Sequence, residues 1–392
     1  MKPSSFPSKS TIDVEKANNN QKDIALIVSK NLSSTKAKHS NSVFSPVSIN
    51  SALTLAASCP GGSSVSDEIL SFLRSSSTDE LNAVFSKIVS VVFAYHSANG
   101  GPKISSVNGV WIDKTLPIDS SLKDLFENFF KAVFDRVDFR SKQVRRELNK
   151  WAEDHTNGLI KDLLPRGSIS SLTNCVYGNA LYFKGAWQVP FLKSNTRDRV
   201  FHLLNGTSVA VPFMSSYENQ YLKAYDGFKV LRIPYRQGDD ETNHSFSYQQ
   251  GLFGDATSHS FPFGQGGYST NGSFSMYFYL PDKNDGLDDL VKTMASTSGF
   301  LDYHVPRCKV LVNEFRIPKF KIAYACVEID EEGAEAAAVT FAYSDDECSM
   351  YMNPPKRIDF VADHPFLFLI REDKTGTVLF VGQIFDPSDK SA

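Results

Sequence analysis

Residues 330–345 read DEEGAEAAAVTFAYSD and carry two conflicting patterns. The alanine-rich centre, 334–338, has a high helix propensity, which favours an exposed helix or a linker. At the two-residue period of a β-strand, one face is instead entirely small and uncharged: Ala334, Ala336, Ala338, Thr340, Ala342 and Ser344. A strand with such a face can enter between two existing strands, because no large or charged side chain is buried on the way. Gly333 supplies a permissive hinge at its start.

Three other segments decide between these patterns. Residues 361–385 read VADHPFLFLIREDKTGTVLFVGQIF, residues 44–53 read FSPVSINSAL, and residues 179–187 read NALYFKGAW. Together with EEGAEAAA at 331–338, they closely resemble four motifs of the serpins, in that family's order. Their residues are those of the plant serpins. The resemblance covers about residues 13 to 387. It implies an α+β fold with three β-sheets, about nine helices and an exposed reactive loop at 331–355.

Composition agrees with one large folded unit. The chain has 392 residues, of which 41% are hydrophobic and 12% aromatic, enough for a sizeable core. Because no Pro/Gly/Ser-rich linker divides it, we expect a single domain over 11–392 after a disordered N-terminus at 1–10. The net charge of −3 argues against nucleic acid and membrane surfaces as partners. We expect a monomer.

The cysteines and the N-terminal residues predict an intracellular location. The five cysteines are odd in number and widely spaced, which favours reduced thiols over a disulfide framework: Cys59, Cys175, Cys308, Cys326 and Cys348. The first ten residues lack the apolar segment of a signal peptide, and no run is long enough to span a membrane. We therefore expect cytoplasm or nucleus, although the family resemblance leaves the extracellular space open.

Motifs of catalysis are absent from the sequence. It contains no G-x-S-x-G, H-E-x-x-H or P-loop motif, and its eight histidines show no metal-ligand spacing. Cys175 lies in the apolar run 172–183, which predicts a strand buried inside a sheet, so we expect a small packed side chain there and not a nucleophile. The sequence predicts no enzyme, no cofactor and no metal site.

The resemblance implies two groups of functional residues. The hinge of the reactive loop corresponds to Glu331, Glu332, Gly333, Ala334, Glu335, Ala336, Ala337 and Ala338. The residues where the central sheet opens correspond to Ser45, Pro46, Ser48, Asn179, Trp187 and His364. The polar members of the second group lie inside apolar motifs, so a hydrogen-bonded network in the core is the structural interpretation of the same residues.

The position of the cleaved bond stays open between two counts. Counting forward from the hinge places Glu347 on the acyl side, with Cys348 following. Counting back from the boundary that runs from Pro354-Pro355 to Asp359-Phe360 favours Met350 or Tyr351. Since Asp345, Asp346 and Glu347 offer no basic side chain, a protease that prefers acidic residues, or a chymotrypsin-like or papain-like enzyme, fits better than a trypsin-like one.

The chain departs from the family pattern in two places. A Gly/Ser/Phe-rich insert at 239–273 lacks Lys and Arg and is predicted to be a disordered loop. Residues 315–322 run almost directly into 326–330, whereas serpins have a helix and most of the fifth strand of the central sheet between these motifs. Because 320–329 contains no Gly, Pro, Asn or Asp to form a turn, we expect the two strands to be spliced into one. A further single strand is expected over 220–235.

The resemblance implies a suicide inhibitor of serine or cysteine proteases. The protease cleaves the reactive loop, and the hinge then inserts into the central sheet and traps the acyl-enzyme. The truncated acceptor strand keeps an alternative open: a non-inhibitory serpin-fold protein or an interaction module.

Overall fold

The computed structural model describes residues 13–33, 39–59, 63–93, 101–156, 158, 160, 162–237, 273–322, 327–333 and 357–389. These residues contain eight α-helices: α1 Val14–Ser33, α2 Pro46–Ala57, α3 Ser63–Phe72, α4 Thr78–Lys87, α5 Ser120–Asp124, α6 Lys142–His155, α7 Leu287–Ser296 and α8 Phe300–Tyr303. Two π-helical turns continue α4 and α5: Ile88–Val92 and Leu125–Phe129.

Sixteen strands occur in the same residues. The first eight are β1 Ser42–Phe44, β2 Lys103–Asp113, β3 Ala132–Val137, β4 Cys175–Lys184, β5 Arg197–His202, β6 Ser208–Ser215, β7 Gln220–Tyr225 and β8 Phe228–Pro234. The others are β9 Phe274–Pro281, β10 Lys309–Val310, β11 Phe315–Pro318, β12 Phe320–Ile322, β13 Val327–Ile329, β14 Phe360–Val361, β15 Phe366–Glu372 and β16 Val378–Ile384.

The largest sheet has seven strands in the order β1-β16-β15-β9-β8-β7-β10. Every residue of β9, β15 and β16 is buried, because both faces of the sheet are covered. Alternate side chains of β9 separate into two cores, with Phe278 in one and Tyr279 in the other, where Leu290 and Met294 of α7 pack. Continuous apolar strands are what two covered faces require. A second, four-stranded sheet has the order β14-β11-β6-β5.

A third sheet consists of two parts, with strand orders β3-β2-β4 and β12-β13. A backbone bridge between Ala186 and Gly333 joins the parts just beyond the end of β4. Helix α6 covers one face through an edge-to-face contact of Trp151 with Trp111 of β2, at 4.9 Å between ring centroids. Leu55 of α2 lies in the core on the other face. In the described part of the chain, the side of β4 opposite β2 has no partner strand along the length of β4.

The expectation that 320–329 forms one spliced strand is wrong. β12 and β13 pair antiparallel, with Phe320 opposite Ile329, and only 323–326 lie between them. Phe320 and Ile329 are both buried in the same core. The chain therefore reverses there without a Gly, Pro, Asn or Asp, and the change of phase in the apolar pattern marks that reversal.

Two other strand predictions also need correction. The segment 220–235 is a hairpin of β7 and β8 that turns at Gly227, whose φ is +81°. The run from Leu172 begins too early, because β4 starts at Cys175 and Leu172 is 87% exposed. The first five residues of β4 are only partly buried, which an open edge explains.

The predicted disordered N-terminus and almost all of the insert at 239–273 lie outside the described residues. The two ends of the insert are close together, because Tyr235 donates a backbone hydrogen bond of 2.8 Å to Phe274. Within the described segments, no helix has the length and apolar character needed to cross a bilayer.

Candidate functional site

The first hinge residues lie against the end of β4. The amide of Trp187 donates to the carbonyl of Glu332 at 3.1 Å, and the amide of Phe191 donates to that of Glu331 at 2.7 Å. With the bridge between Ala186 and Gly333, these bonds attach the segment after β13 to the chain that leaves β4. We call this contact, residues 184–191 with 330–333, the hinge junction.

Glycine is the only residue type that fits at position 333 of the junction. Its φ is +109°, a conformation that side chains with a Cβ rarely adopt. A Cβ there would lie 2.6 Å from the Ala186 Cα, the Gly185 oxygen and the Trp187 nitrogen, all of them backbone atoms. The predicted hinge glycine is therefore required both by conformation and by close approach.

Trp187 stabilises the junction through a side-chain hydrogen bond and contacts of its ring. Its indole Nε1 donates to the carbonyl of Asp330 at 2.9 Å, and its ring stacks on Tyr235 at 4.8 Å between centroids. Phe191 packs edge-on against the same indole. Only 1% of Trp187 is exposed, so the tryptophan that the sequence assigned to the start of insertion lies directly under the hinge.

Two basic side chains hold the acidic residues of the hinge. Glu331 is buried and accepts from Lys319 Nζ at 2.8 Å and from Thr196 Oγ1 at 2.7 Å. Burial disfavours its ionised form, but these hydrogen bonds outweigh burial and lower the pKa of Glu331. Glu332 pairs with Lys193, and that hydrogen bond raises the pKa of the lysine.

Asp330 has the opposite electrostatic balance. Burial raises the pKa of its carboxyl, and the hydrogen bond it accepts from the amide of Glu332, at 2.9 Å, offsets only part of this effect. The junction therefore contains three consecutive carboxyl groups. Hydrogen bonds from Lys319 and Thr196 favour the ionised form of Glu331, whereas burial disfavours the ionised form of Asp330.

The start of α2 contains Ser45, Pro46 and Ser48. It lies under the third sheet, which contains β4. Ser45 is the N-cap and accepts a hydrogen bond of 3.1 Å from the amide of Ser48. Pro46 occupies the first helical turn, where its missing N–H leaves no bond unmade. This capping leaves the Ser48 hydroxyl available to the strand above it.

Asn179 on β4 accepts a hydrogen bond from that hydroxyl and extends the hydrogen bonding to the neighbouring strand β2. Ser48 Oγ donates to Asn179 Oδ1 at 2.6 Å. The amide of Asn179 donates to Ser106 at 3.0 Å and to Asn108 at 2.9 Å, both on β2. Asn108 in turn donates to the carbonyl of Phe130 at 2.9 Å. We call Ser48, Asn179, Ser106 and Asn108 the polar network.

The structure places the ring of His364 against partners outside the polar network. His364 lies between β14 and β15, where Nε2 is 2.8 Å from the carbonyl oxygen of Pro281 and Nδ1 is 2.8 Å from Asp363. One of these partners is the preceding residue, and the other is at the end of β9 in the seven-stranded sheet. The position of His364 in a recognised motif did not identify its neighbours.

The structure describes the hinge only as far as Gly333. The remaining predicted hinge residues and both candidate cleavage sites lie outside the described residues: Ala334, Glu335, Ala336, Ala337, Ala338, Glu347, Cys348, Met350 and Tyr351. Sequence reasoning also missed Lys193, Thr196 and Lys319, which hold the hinge carboxylates. No linear pattern indicates these partners, since Thr196 is 135 residues from Glu331.

Within the described ranges, no group of three or more His, Cys, Asp or Glu side chains could hold a metal ion. The hinge junction is instead built from backbone hydrogen bonds, packed aromatic rings and the ion pairs of Glu331 and Glu332, and the polar network from neutral amide and hydroxyl groups. This arrangement suits the docking of a strand.

Comparison with known proteins agrees with this geometry. The family model described as Serpin (serine protease inhibitor) matches residues 19–248 and 324–387. The solved structure of Arabidopsis AtSerpin1 in its native stressed conformation is 40% identical, with a TM-score of 0.79 over 97% of this chain and 100% of that chain. This similarity confirms the α+β fold with three sheets; the fold has eight helices where about nine were expected.

Two curated relatives from Arabidopsis thaliana cover nearly the whole chain. Serpin-Z1 is 58% identical over 96% of this chain and 97% of its own length. Probable non-inhibitory serpin-Z5 is 52% identical over 97% of this chain and 87% of its own length. The matched family is described as one of protease inhibitors and not of enzymes, which confirms that the chain is not an enzyme. By its fold, its motifs and these matches, the chain belongs to the serpin family, in its plant serpin-Z group.

Proposed function

We propose that the chain inhibits serine or cysteine endopeptidases by presenting residues 331–355 as a substrate. The nucleophile of the protease attacks the scissile carbonyl, which belongs to Glu347 or, by the alternative count, to Met350 or Tyr351. The leaving amine departs and an acyl-enzyme forms. The hinge then adds to β4 before water hydrolyses the acyl bond, which draws the protease away and traps it.

The register of the hinge junction is the observation that carries this proposal. Ala186 opposes Gly333 in an antiparallel bridge. If the same register continues, residues 334–344 pair with residues 185–175 and use the full length of β4. The segment with the small face therefore matches in length the open strand edge beside it.

The same register also sorts the side chains of the hinge. Ala336 would lie opposite Phe183, and Ala338 opposite Leu181, which are both buried in the main core. Directly opposed residues share a face, so the alanines would enter the crowded side of the sheet. Glu335 would lie opposite Lys184, which places opposite charges across the pair.

One observation favours the alternative, a non-inhibitory serpin-fold protein or interaction module. β13 comprises only Val327–Ile329, whereas β4 has ten residues. Beyond Gly333, an inserted hinge would pair with β4 alone. It would gain one ladder of hydrogen bonds, and no second ladder with a neighbouring strand on its other side. The free energy that drives insertion would be correspondingly smaller, and the acyl-enzyme would more often be hydrolysed before trapping.

The test is incubation of the full-length protein with chymotrypsin-like, papain-like and acidic-residue-specific proteases, followed by denaturing gels. We expect a covalent complex that survives boiling in detergent, and the mass of the released C-terminal peptide identifies the cleaved bond. Cleavage without any complex, and without a rise in thermal stability of the cleaved protein, would support the non-inhibitory alternative.

Two arginine variants test the register. Ala338→Arg would place an unpaired charge against Leu181, at a cost of several kcal/mol, so the variant should be cleaved without trapping. Glu335→Arg adds the same side chain on the opposite face, where the like charge of Lys184 costs only about 0.2–1 kcal/mol, and should still form the complex. Equal loss of complex in both variants would contradict this register.

A further inference from the structure

Two Asn-Gly pairs lie wholly within the described residues, and their surroundings differ. Asn205 and Gly206 are exposed in the turn between β5 and β6. Asn108 is buried in β2, and Gly109 beside it pairs with a neighbouring strand on each side. An Asn-Gly pair is chemically labile, because the next backbone nitrogen can attack the side-chain amide and glycine adds no Cβ to hinder that attack. Of these two pairs, only the one in the turn is accessible to the reaction in the folded protein.

The turn around Asn205 leaves room for the attack. Gly206 has a φ of +81°, and a Cβ added to it would meet no atom within 4 Å. At Gly109, in contrast, an added Cβ would lie 2.2 Å from the ring of Trp111, and Asn108 is held in the polar network. The reaction closes a five-membered ring, which requires the side chain and the next nitrogen to move toward each other. A packed strand prevents this movement, and an exposed turn permits it.

Hydrogen bonds of the turn favour attack on the side chain of Asn205. Its oxygen Oδ1 accepts from the amide of Thr207 at 2.9 Å and from Thr207 Oγ1 at 2.6 Å. These donors would stabilise the negative charge that develops on Oδ1 during the attack. One bond opposes the reaction, since the amide of Gly206 donates to the carbonyl of Leu203 at 3.1 Å. Because this bond belongs to an exposed turn, local opening breaks it at little cost.

We propose that Asn205 is a modification site at which the folded chain converts spontaneously to aspartate and isoaspartate. Hydroxide removes the amide proton of Gly206, and the nitrogen attacks the side-chain carbon Cγ of Asn205. The new C–N bond closes a succinimide ring, and the side-chain nitrogen takes a proton from water and leaves as ammonia. Water then opens the ring. Cleavage of the Cγ–N bond gives aspartate, whereas cleavage of the original peptide C–N bond leaves the main chain running through Cγ, as isoaspartate. In total one water is consumed and one ammonia is released, without oxidation or reduction.

The products change both the charge and the length of the turn. Each carries a carboxylate in place of the amide, and isoaspartate adds one methylene to the main chain. The turn is closed by a hydrogen bond of 2.9 Å from the amide of Leu203 to the carbonyl of Thr207, next to the last pair of the β5–β6 ladder, His202 with Ser208. A longer main chain strains this bond, so the isoaspartate form should unfold at a lower temperature than the aspartate form. This chemistry does not depend on inhibition of a protease.

The first test incubates the full chain at mildly alkaline pH in heavy-oxygen water, followed by digestion at acidic pH and mass spectrometry. The peptide with Asn205 should incorporate heavy oxygen and separate into an aspartate and an isoaspartate form, and an isoaspartate methyltransferase with S-adenosylmethionine should label only the second. Asn108 is the internal control and should stay unchanged, whereas in urea both pairs should convert at similar rates. An unchanged Asn205 in the folded protein, over the time in which the unfolded protein converts, would overturn the proposal. Equal conversion of Asn108 and Asn205 in the folded protein would also overturn it.

Two variants, each checked for folding by its unfolding temperature, test the neighbours of Asn205. Gly206→Ala hinders the attacking nitrogen with a methyl group, so conversion should be severalfold slower than in wild type. Thr207→Val removes the hydroxyl donor to Oδ1 and should also slow conversion severalfold. An unchanged rate in Gly206→Ala would overturn attack by the Gly206 nitrogen, and an unchanged or higher rate in Thr207→Val would contradict activation by the hydroxyl.

Discussion

Ala186 and Gly333 form an antiparallel backbone bridge that fixes where the hinge meets the end of β4. If the proposed insertion continues in the register of this bridge, every hinge residue that follows has a partner on β4. Trp187, next to Ala186, holds the same segment through its indole and its amide. The junction is therefore the point from which insertion of the loop would proceed.

Replacing Gly333 with alanine should weaken this junction. The added Cβ meets backbone atoms of Gly185, Ala186 and Trp187 at 2.6 Å, and φ of +109° is strained for alanine. Strained backbone of this kind costs about 1–3 kcal/mol, and the clash adds to it. The measurement is the midpoint of urea unfolding followed by tryptophan fluorescence.

Gly206→Ala is the matched control for that variant. Its φ is +81°, but nothing lies within 4 Å of the added Cβ, so only the conformational cost of about 1–2 kcal/mol remains. If both variants lose the same stability, the close approach at Gly333 contributes nothing.

Glu331 should make the stability of the junction depend on pH. Its folded pKa lies below the ordinary value near 4.3, so its contribution is complete above that value and is lost as the pH falls through the folded pKa. Glu331→Gln should cost about 1.5–3 kcal/mol at neutral pH, because Lys319 loses its charged partner. The difference from wild type should shrink below the ordinary pKa.

The exposed Glu147→Gln change on α6 is the control for this experiment. Chemical unfolding at neutral pH and at several acidic pH values gives both differences. A constant deficit of Glu331→Gln across the whole range would mean that the carboxylate charge does not contribute.

Several features of the fold followed from local sequence patterns. The proline after Ser45 and the apolar runs of β15 and β16 each placed an element correctly. The reversal between β12 and β13 was missed because no usual turn residue marks it, although the apolar phase changes there. The Asp226-Gly227 pair was an available hairpin signal between β7 and β8 that the prediction of one strand over 220–235 overlooked.

The contacts of the candidate site were harder to predict than its location. Motif resemblance placed Trp187 at the hinge, but it also grouped His364 with Ser48, whereas His364 contacts Pro281. The contact of Glu331 with Thr196 depends on how the sheets are assembled. Residue spacing along the chain contains no information about such long-range partners.

The insert between β8 and β9 should be dispensable. Tyr235 and Phe274 pair at its base, so a short Gly-Ser turn can join the strands after deletion of 241–271. We expect soluble expression and an unfolding temperature within a few degrees of wild type. Loss of soluble protein would mean that the insert is part of the core.

Thiol titration tests the proposed intracellular location. Protein purified anaerobically and denatured without reductant should report all five cysteines, as expected of a chain without structural disulfides. A count of one or none in the anaerobic sample would contradict the intracellular assignment.

The last prediction concerns the bond between Ser48 and Asn179. At 2.6 Å it links α2 to β4, and Asn179 also bonds Ser106 and Asn108. Ser48→Ala and Asn179→Ala should each destabilise the protein, and their double-mutant cycle should give a coupling free energy of about 0.5–1.5 kcal/mol. The cycle of Ser48→Ala with His364→Ala is the control and should be additive, since His364 shares no partner with Ser48. Coupling between Ser48 and His364 as large as that between Ser48 and Asn179 would restore His364 to the sheet-opening group and contradict the arrangement described above.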